Sequence, residues 1–284
     1  MIKLKKTYNL VPLLLKLILK DIKIYIVSLL IPCAISFLLY WVWSTIILNV
    51  VYSPQMFGFL SIGCLIVPFY LSILICEWKS TNFLKKIKSI NLNQINFTVV
   101  MILINIIFSL ISIIASTILA VSITSTIRSF PISYNLLFKD IDWYIWINFI
   151  FSSLLMSIVA LLMFIVFTNF FRSKILNITV SIGVLTYIVF LSDVVIIPHI
   201  TSKITSVSII EYFNPIKYCV WIIYMITSYQ FIDNYGIQQI LSTNNISNLF
   251  ISFNNILVPL LISLLIVGIF ILIIKYRFIW GTKN

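Results

Sequence analysis

From residue 24 to residue 76 the chain carries no Asp, Glu, Lys or Arg, and the stretches 89–127, 143–171, 175–192 and 234–274 are uncharged as well. A bilayer core about 30 Å thick is crossed by about 20 helical residues, and a charge at its centre costs roughly 2.5–3.5 kcal/mol. Each uncharged stretch is therefore long enough for one or two lipid-compatible helices. The chain is 62% hydrophobic and 9% charged, against roughly a quarter charged in a soluble domain, so a water-soluble fold is excluded. A transmembrane β-barrel would show segments of about ten residues alternating polar and apolar, whereas 102–114 does not alternate. The fold class is thus an all-α membrane protein. Six transmembrane helices are expected, at about 24–44, 59–76, 97–121, 146–168, 175–193 and 256–274, in one transmembrane domain covering residues 1–284.

The basic residues give the orientation. With the N-terminus inside, Lys and Arg number six before the first span, four after the second, two after the fourth and three at the C-terminus, while only Arg128, Lys139, Lys203 and Lys217 fall outside. This asymmetry satisfies the positive-inside rule and places both termini in the cytoplasm. It also accounts for the formal net charge of +12 without a nucleic-acid partner. The apolar stretch 219–232 could be a seventh span, but odd parity would put Lys275, Arg277 and Lys283 outside. The N-terminal basic and apolar segment is interrupted by Lys16, Lys20 and Asp21 and has no A-x-A site, so it reads as retained rather than as a cleaved signal. Cys33, Cys64, Cys76 and Cys219 lack CxxC spacing and read as small apolar residues rather than metal ligands.

Three short segments outside the spans have helical patterns. Before the first span, Asn9, Lys16, Lys20 and Lys23 share one face, with Leu10, Val11, Leu14, Leu17, Ile18 and Ile22 on the other. That pattern predicts an amphipathic interfacial helix, lysines toward anionic lipid headgroups and leucines toward the acyl boundary. A plain basic anchor fits it equally, and Asp21 falls in the apolar arc without an evident reason. After the second span, Phe83, Leu84, Ile87 and Ile90 share an arc while lysines, Thr81 and Asn82 cover the rest, the pattern of a short cytoplasmic helix on which a soluble partner docks, or of a solvated basic turn. Between the fifth and sixth spans, Asn214 and Pro215 form a helix start, with Asn as N-cap and Pro at the first position. The helix that follows, about Pro215 to Thr227, is only about 20 Å long. It reads as an extracellular half-helix, re-entrant or interfacial, or as a surface helix on the bundle top.

The N-terminal interfacial helix, Pro32 in the first span, a second span ending at Glu77 with an amphipathic helix after it, and Asn214-Pro215 after the fifth span together resemble the ABC-2 class of ABC transporter permeases. The resemblance covers essentially the whole chain. In that family the loop after the second span often reads Glu-Arg-x-x-Gly-Thr; here Glu77-Trp78-Lys79-Ser80-Thr81-Asn82 keeps the glutamate and lacks the usual Arg and Gly. The resemblance implies a coupling helix that docks on a cytoplasmic ABC ATPase subunit through Glu77, Lys79, Thr81, Phe83, Leu84 and Ile87. It also implies a gate at Asn214 and Pro215, and a second permease chain, identical or a paralogue. ATP and Mg would be held by the partner ATPase and no cofactor by this chain.

The residues themselves add exclusions. None of the glycines forms G-x-x-x-x-G-K-[ST], so energy from ATP comes from another subunit or is not used. One histidine, His199, and Asp193 at the outer end of the fifth span are the only candidates for intramembrane acid–base chemistry. Structural duty is expected for the first and an interfacial carboxylate reaching water for the second. No ionisable residue sits near the middle of a span, as secondary transport would require. The expectation is a non-enzymatic permease subunit of an ATP-driven exporter in a bacterial plasma membrane, moving an amphiphilic or apolar cargo such as a drug or peptide antibiotic. The alternative is a non-transporting immunity or scaffold protein that binds a toxin or membrane partner through its outer loop.

Overall fold

The computed structural model describes residues 2–46, 53–81, 83–89, 93–126, 141–171, 173–228, 234–241 and 250–281, and among these every regular element is a helix. Helix α1 (Ile2–Leu19) packs on the long helix Gln94–Thr126. Its Leu10, Leu14 and Ile18, spaced four apart, are buried against the bundle, while Leu13 and Leu17 and the lysines Lys16, Lys20 and Lys23 stay exposed. The expected apolar face is therefore divided between buried and exposed positions.

The chain turns at Asp21 into α2 (Ile22–Tyr25), a π-helical turn (Ile26–Leu30) and α3 (Ile31–Ile46). The π turn, in which Ile31 N–H bonds the Ile26 carbonyl, immediately precedes Pro32. Proline lacks an N–H and its ring crowds the carbonyl four residues earlier, and a widened turn relieves both. Asp21, unexplained in the helical pattern, is the N-cap of α2. Its side chain accepts from Lys23 N–H at 3.1 Å and from the Tyr70 hydroxyl at 2.5 Å. The Tyr70 hydrogen bond, followed in effect by that from Lys23, holds the Asp21 carboxyl below the usual carboxylate range.

Helices α4 (Ser53–Leu60) and α5 (Gly63–Ser80) form one rod bent at Ser61 and Ile62, where Ser61 Oγ donates to the Gly58 carbonyl at 2.7 Å. After the short α6 (Phe83–Ser89) come α7 (Gln94–Thr126), α8 (Trp143–Phe167) and α9 (Lys174–Phe190). Three short helices follow, α10 (Pro198–Thr201), α11 (Thr205–Glu211) and α12 (Pro215–Thr227), then α13 (Asn234–Leu241) and the last long helix α14 (Leu257–Arg277).

Among the described residues, five helical segments are long and apolar enough to cross a membrane: Ile22–Thr45, Ser53–Ser80, Gln94–Ile123, Trp143–Phe167 and Leu257–Arg277. The expected fifth span is shorter than these. Helix α9 has 17 residues, about 25 Å, and stops at Phe190 rather than 193 because Asp193 adopts a left-handed φ of 67°, which no α-helix continues through.

The Ser53–Ser80 rod is the centre of the bundle, 89% of its most apolar window being covered, against 22% for Ile22–Thr45 and 17% for Leu257–Arg277. Helix α5 packs on α8, α9 and α7. The outer helices show Leu38, Trp41, Leu261, Leu265 and Leu272 to their surroundings, as lipid-facing helices do. Helix α12 has the expected bounds and does not lie on the bundle surface, the alternative to a half-helix. It is inserted among α8, α4 and α14 and buried from Cys219 to Thr227, because its side chains there are apolar all round.

Candidate functional site

Seen along the bundle, α5, α6, α9 and α14 bring Lys79, Lys85, Lys86, Lys88, Lys174 and Lys275 to one end, and the candidate docking surface lies there. Glu77 and Lys79 occupy the last turn of α5. Glu77 is partly exposed and pairs at 3.8 Å with Lys174 at the start of α9. Lys79, one residue pair away, is 1% exposed. Its Nζ donates to Asn169 Oδ1 at 2.6 Å and to the Thr168 carbonyl at 3.1 Å, and it sits 5.2 Å from the centre of the Phe278 ring. Asn169 Oδ1 also accepts from Ile279 N–H at 3.4 Å. Lys79 thus fastens three segments to one another: the end of α5, the turn after α8 and the tail after α14.

Thr81 closes the helix, its hydroxyl donating to the Glu77 carbonyl at 3.1 Å, and remains exposed. In α6, Leu84 and Ile87 are buried in the core formed by α5, α7 and α1, and Phe83 lies 5.5 Å from Trp78, ring centre to ring centre. Lys85, Lys86 and Lys88 face outward. Of the six residues assigned to docking, Lys79, Leu84 and Ile87 are therefore engaged inside this chain and closed to a partner. The arc read as a docking face is the face that seals α6 to the bundle. Glu77, Thr81 and Phe83 retain exposure, joined by the three lysines.

The sequence does not disclose Lys174, Asn169 or Phe278 as parts of this end. Each meets α5 only after the chain has crossed the bundle again, and no local pattern marks them.

A narrow apolar crevice opens farther along the bundle between α3, α4 and α7, walled by Phe37, Met56, Phe59, Leu60, Leu119 and Ile123 with Ser36 and Ser116 beside them.

At the opposite end, Asn214 caps α12 as expected: its Oδ1 accepts from Ile216 N–H at 3.0 Å, with Pro215 at the first helical position. The same side chain does more than cap. Nδ2 donates to the Leu191 carbonyl at 2.7 Å and the Ile188 carbonyl at 3.2 Å, tying α12 to the end of α9. His199 donates from Nδ1 to the Leu241 carbonyl at 2.9 Å and accepts from Lys203 Nζ at 3.0 Å. Asp193, expected to reach water, is fully buried. It is kept from solvent because Lys217, Trp221 and Thr201 surround its carboxylate and Tyr224 donates to its carbonyl at 2.6 Å. The chain matches no family model, no curated protein and no solved structure.

Proposed function

We propose that this chain is the membrane-spanning subunit of an ATP-driven exporter of the ABC-2 kind, moving an amphiphilic or apolar cargo across a bacterial plasma membrane. In this reading the lysine-rich end faces the cytoplasm, where both termini lie, and α9 completes a set of six spans. A separate ATPase subunit, carrying ATP and Mg, docks at α6, and a second permease chain completes the path.

The observation that carries the reading is the mounting of α6. It hangs from the end of the most deeply buried span, its apolar side sealed to the bundle by Leu84 and Ile87 and its lysines turned outward. A force applied to those lysines passes through the Trp78–Phe83 contact and the Lys79 clasp into α5, and from there into α8 and α9. A helix that merely decorated a loop would have no such connection. Mechanical transmission into a packed core that moves between discrete arrangements is how a docked motor reorients spans. The crevice walled by Phe37 and Phe59 supports an apolar cargo.

The test is affinity purification of the tagged chain in mild detergent, comparing wild type with Glu77→Ala and Phe83→Asp. Recovery of an ATPase with wild type and its loss with folded variants supports the reading. No ATPase with wild type, together with protection of cells that does not depend on ATP, would replace it with the immunity or scaffold role.

A further inference from the structure

Two carboxyls and one ammonium meet at the end of the bundle away from the lysine cluster, none of their side chains more than 1% exposed. Asp193 Oδ1 accepts from Thr201 Oγ1 at 2.7 Å, and Oδ2 accepts from Trp221 Nε1 at 2.7 Å and pairs with Lys217 Nζ at 3.2 Å. Lys217 also bonds Glu211 Oε2. The Lys217 ammonium thus bridges the two carboxyls, and Glu211 Oε1, although buried, receives no donor.

Full ionisation would leave one net negative charge in this site, and an uncompensated buried ion costs several kcal/mol. Among the described residues, the elements packed around it supply these carboxyls no further cation. Helices α4, α8 and α13 contain no Asp, Glu, Lys or Arg, and Lys174 of α9 with Lys275 and Arg277 of α14 lie at the far end. On α10, His199 bonds the Leu241 carbonyl and Lys203. The hydroxyls of Tyr212, Tyr218 and Tyr224 donate to the carbonyls of Ser252, Tyr212 and Asp193. A proton on Glu211 makes the group neutral and removes the uncompensated charge from the buried site.

We propose that Asp193, Glu211 and Lys217 form a proton-binding site that holds one proton between the two carboxyls and, when it is lost, loosens α11 and α12 from the end of α9. The chain between Glu211 and Asn214 is the hinge, and the two Asn214 bonds to Leu191 and Ile188 are the contacts that part. The site rests on this chain's own residues and not on its being an exporter; in an exporter, the element released is the half-helix at the outer gate.

Burial, and then the neighbouring Asp193 carboxylate, push the Glu211 carboxyl up from 4.5 to about 7, so the proton exchanges near neutrality. A folded-state value raised above the unfolded one means that folding takes up a proton. The stabilisation is complete below about pH 4.5 and is lost as the pH rises through about 7.

The experiment uses the purified full chain in detergent, followed by the infrared carbonyl stretch of protonated carboxyls and by thermal unfolding from about pH 5 to about pH 9. Wild type is expected to lose one protonated carboxyl and part of its thermal stability with a midpoint near 7. Glu211→Gln, a neutral mimic, should lack that band and unfold independently of pH over this range. Asp193→Asn, which tolerates the left-handed backbone, should move the midpoint down by at least about one pH unit, because Glu211 then faces only Lys217. His199→Gln should leave the midpoint in place. A wild-type spectrum without a protonated carboxyl at about pH 6 would overturn the proposal, as would an unchanged midpoint in Asp193→Asn or its loss in His199→Gln.

Discussion

Lys79 and Asn169, ninety positions apart in the chain, are joined at 2.6 Å inside the protein, with the ammonium covered on its remaining side by the Phe278 ring. Hydrogen bonds from a charged donor contribute about 1.5–3 kcal/mol each, and their loss leaves buried acceptors unmet. Lys79→Met keeps the aliphatic stem and removes only the donor. It is expected to lower the unfolding free energy of the purified chain by about 2–3 kcal/mol, measured by denaturation in detergent. Equal stability of variant and wild type would mean that the clasp contributes nothing.

Asp21 and Tyr70 are expected to be energetically coupled. In a double-mutant cycle with Asp21→Ala and Tyr70→Phe, the coupling should be about 1 kcal/mol. Because the folded-state Asp21 carboxyl lies below its ordinary value of 3.8, this contribution is present above that pH and falls away as the solution is acidified through the folded value. Tyr70→Phe should reduce the acid sensitivity; additive single effects would show that the contact is incidental.

The two faces of α6 separate stability from docking. Leu84→Ala opens a cavity in a fully packed site and should cost the isolated chain about 2–4 kcal/mol. Lys86→Glu with Lys88→Glu changes only exposed side chains and should leave stability within about 0.5 kcal/mol, while abolishing recovery of the ATPase proposed as partner. Retained ATPase recovery by the charge-reversed chain would remove these lysines from the docking surface.

Gly63 begins α5 where an added Cβ would collide with the side chain of Ser112 on α7. Gly63→Ala should destabilise by about 1–3 kcal/mol through overpacking, and Ser112→Gly in the same chain should restore part of the loss. Thermal unfolding of the two single variants and the pair decides it, and no recovery in the pair would place the strain elsewhere.

The features legible in the sequence are those with local causes. Burying a charge in lipid is costly wherever it occurs, so uncharged runs mark the long helices. An N-cap needs only its own next residues, so Asn214 and Pro215 announce α12 with the bounds the structure shows. The short α6 is legible for the same reason, through its helical spacing.

Which side of α6 faces inward is not a local property. Leu84 and Ile87 meet α1, α5 and α7 only in the folded bundle, and an amphipathic arc reads the same whether protein or a partner covers it. Asp21 looks misplaced until Tyr70, 49 positions later, supplies its hydrogen bond. Asp193 looks like a carboxylate at a helix end because its cation and donors, Lys217, Thr201 and Trp221, come from other turns and helices. The sequence by itself determined that the chain is a set of lipid-compatible helices, because hydropathy and charge act residue by residue. The tertiary structure alone decided which polar groups are buried, since a buried charge persists only where segments distant in the chain bring it a partner.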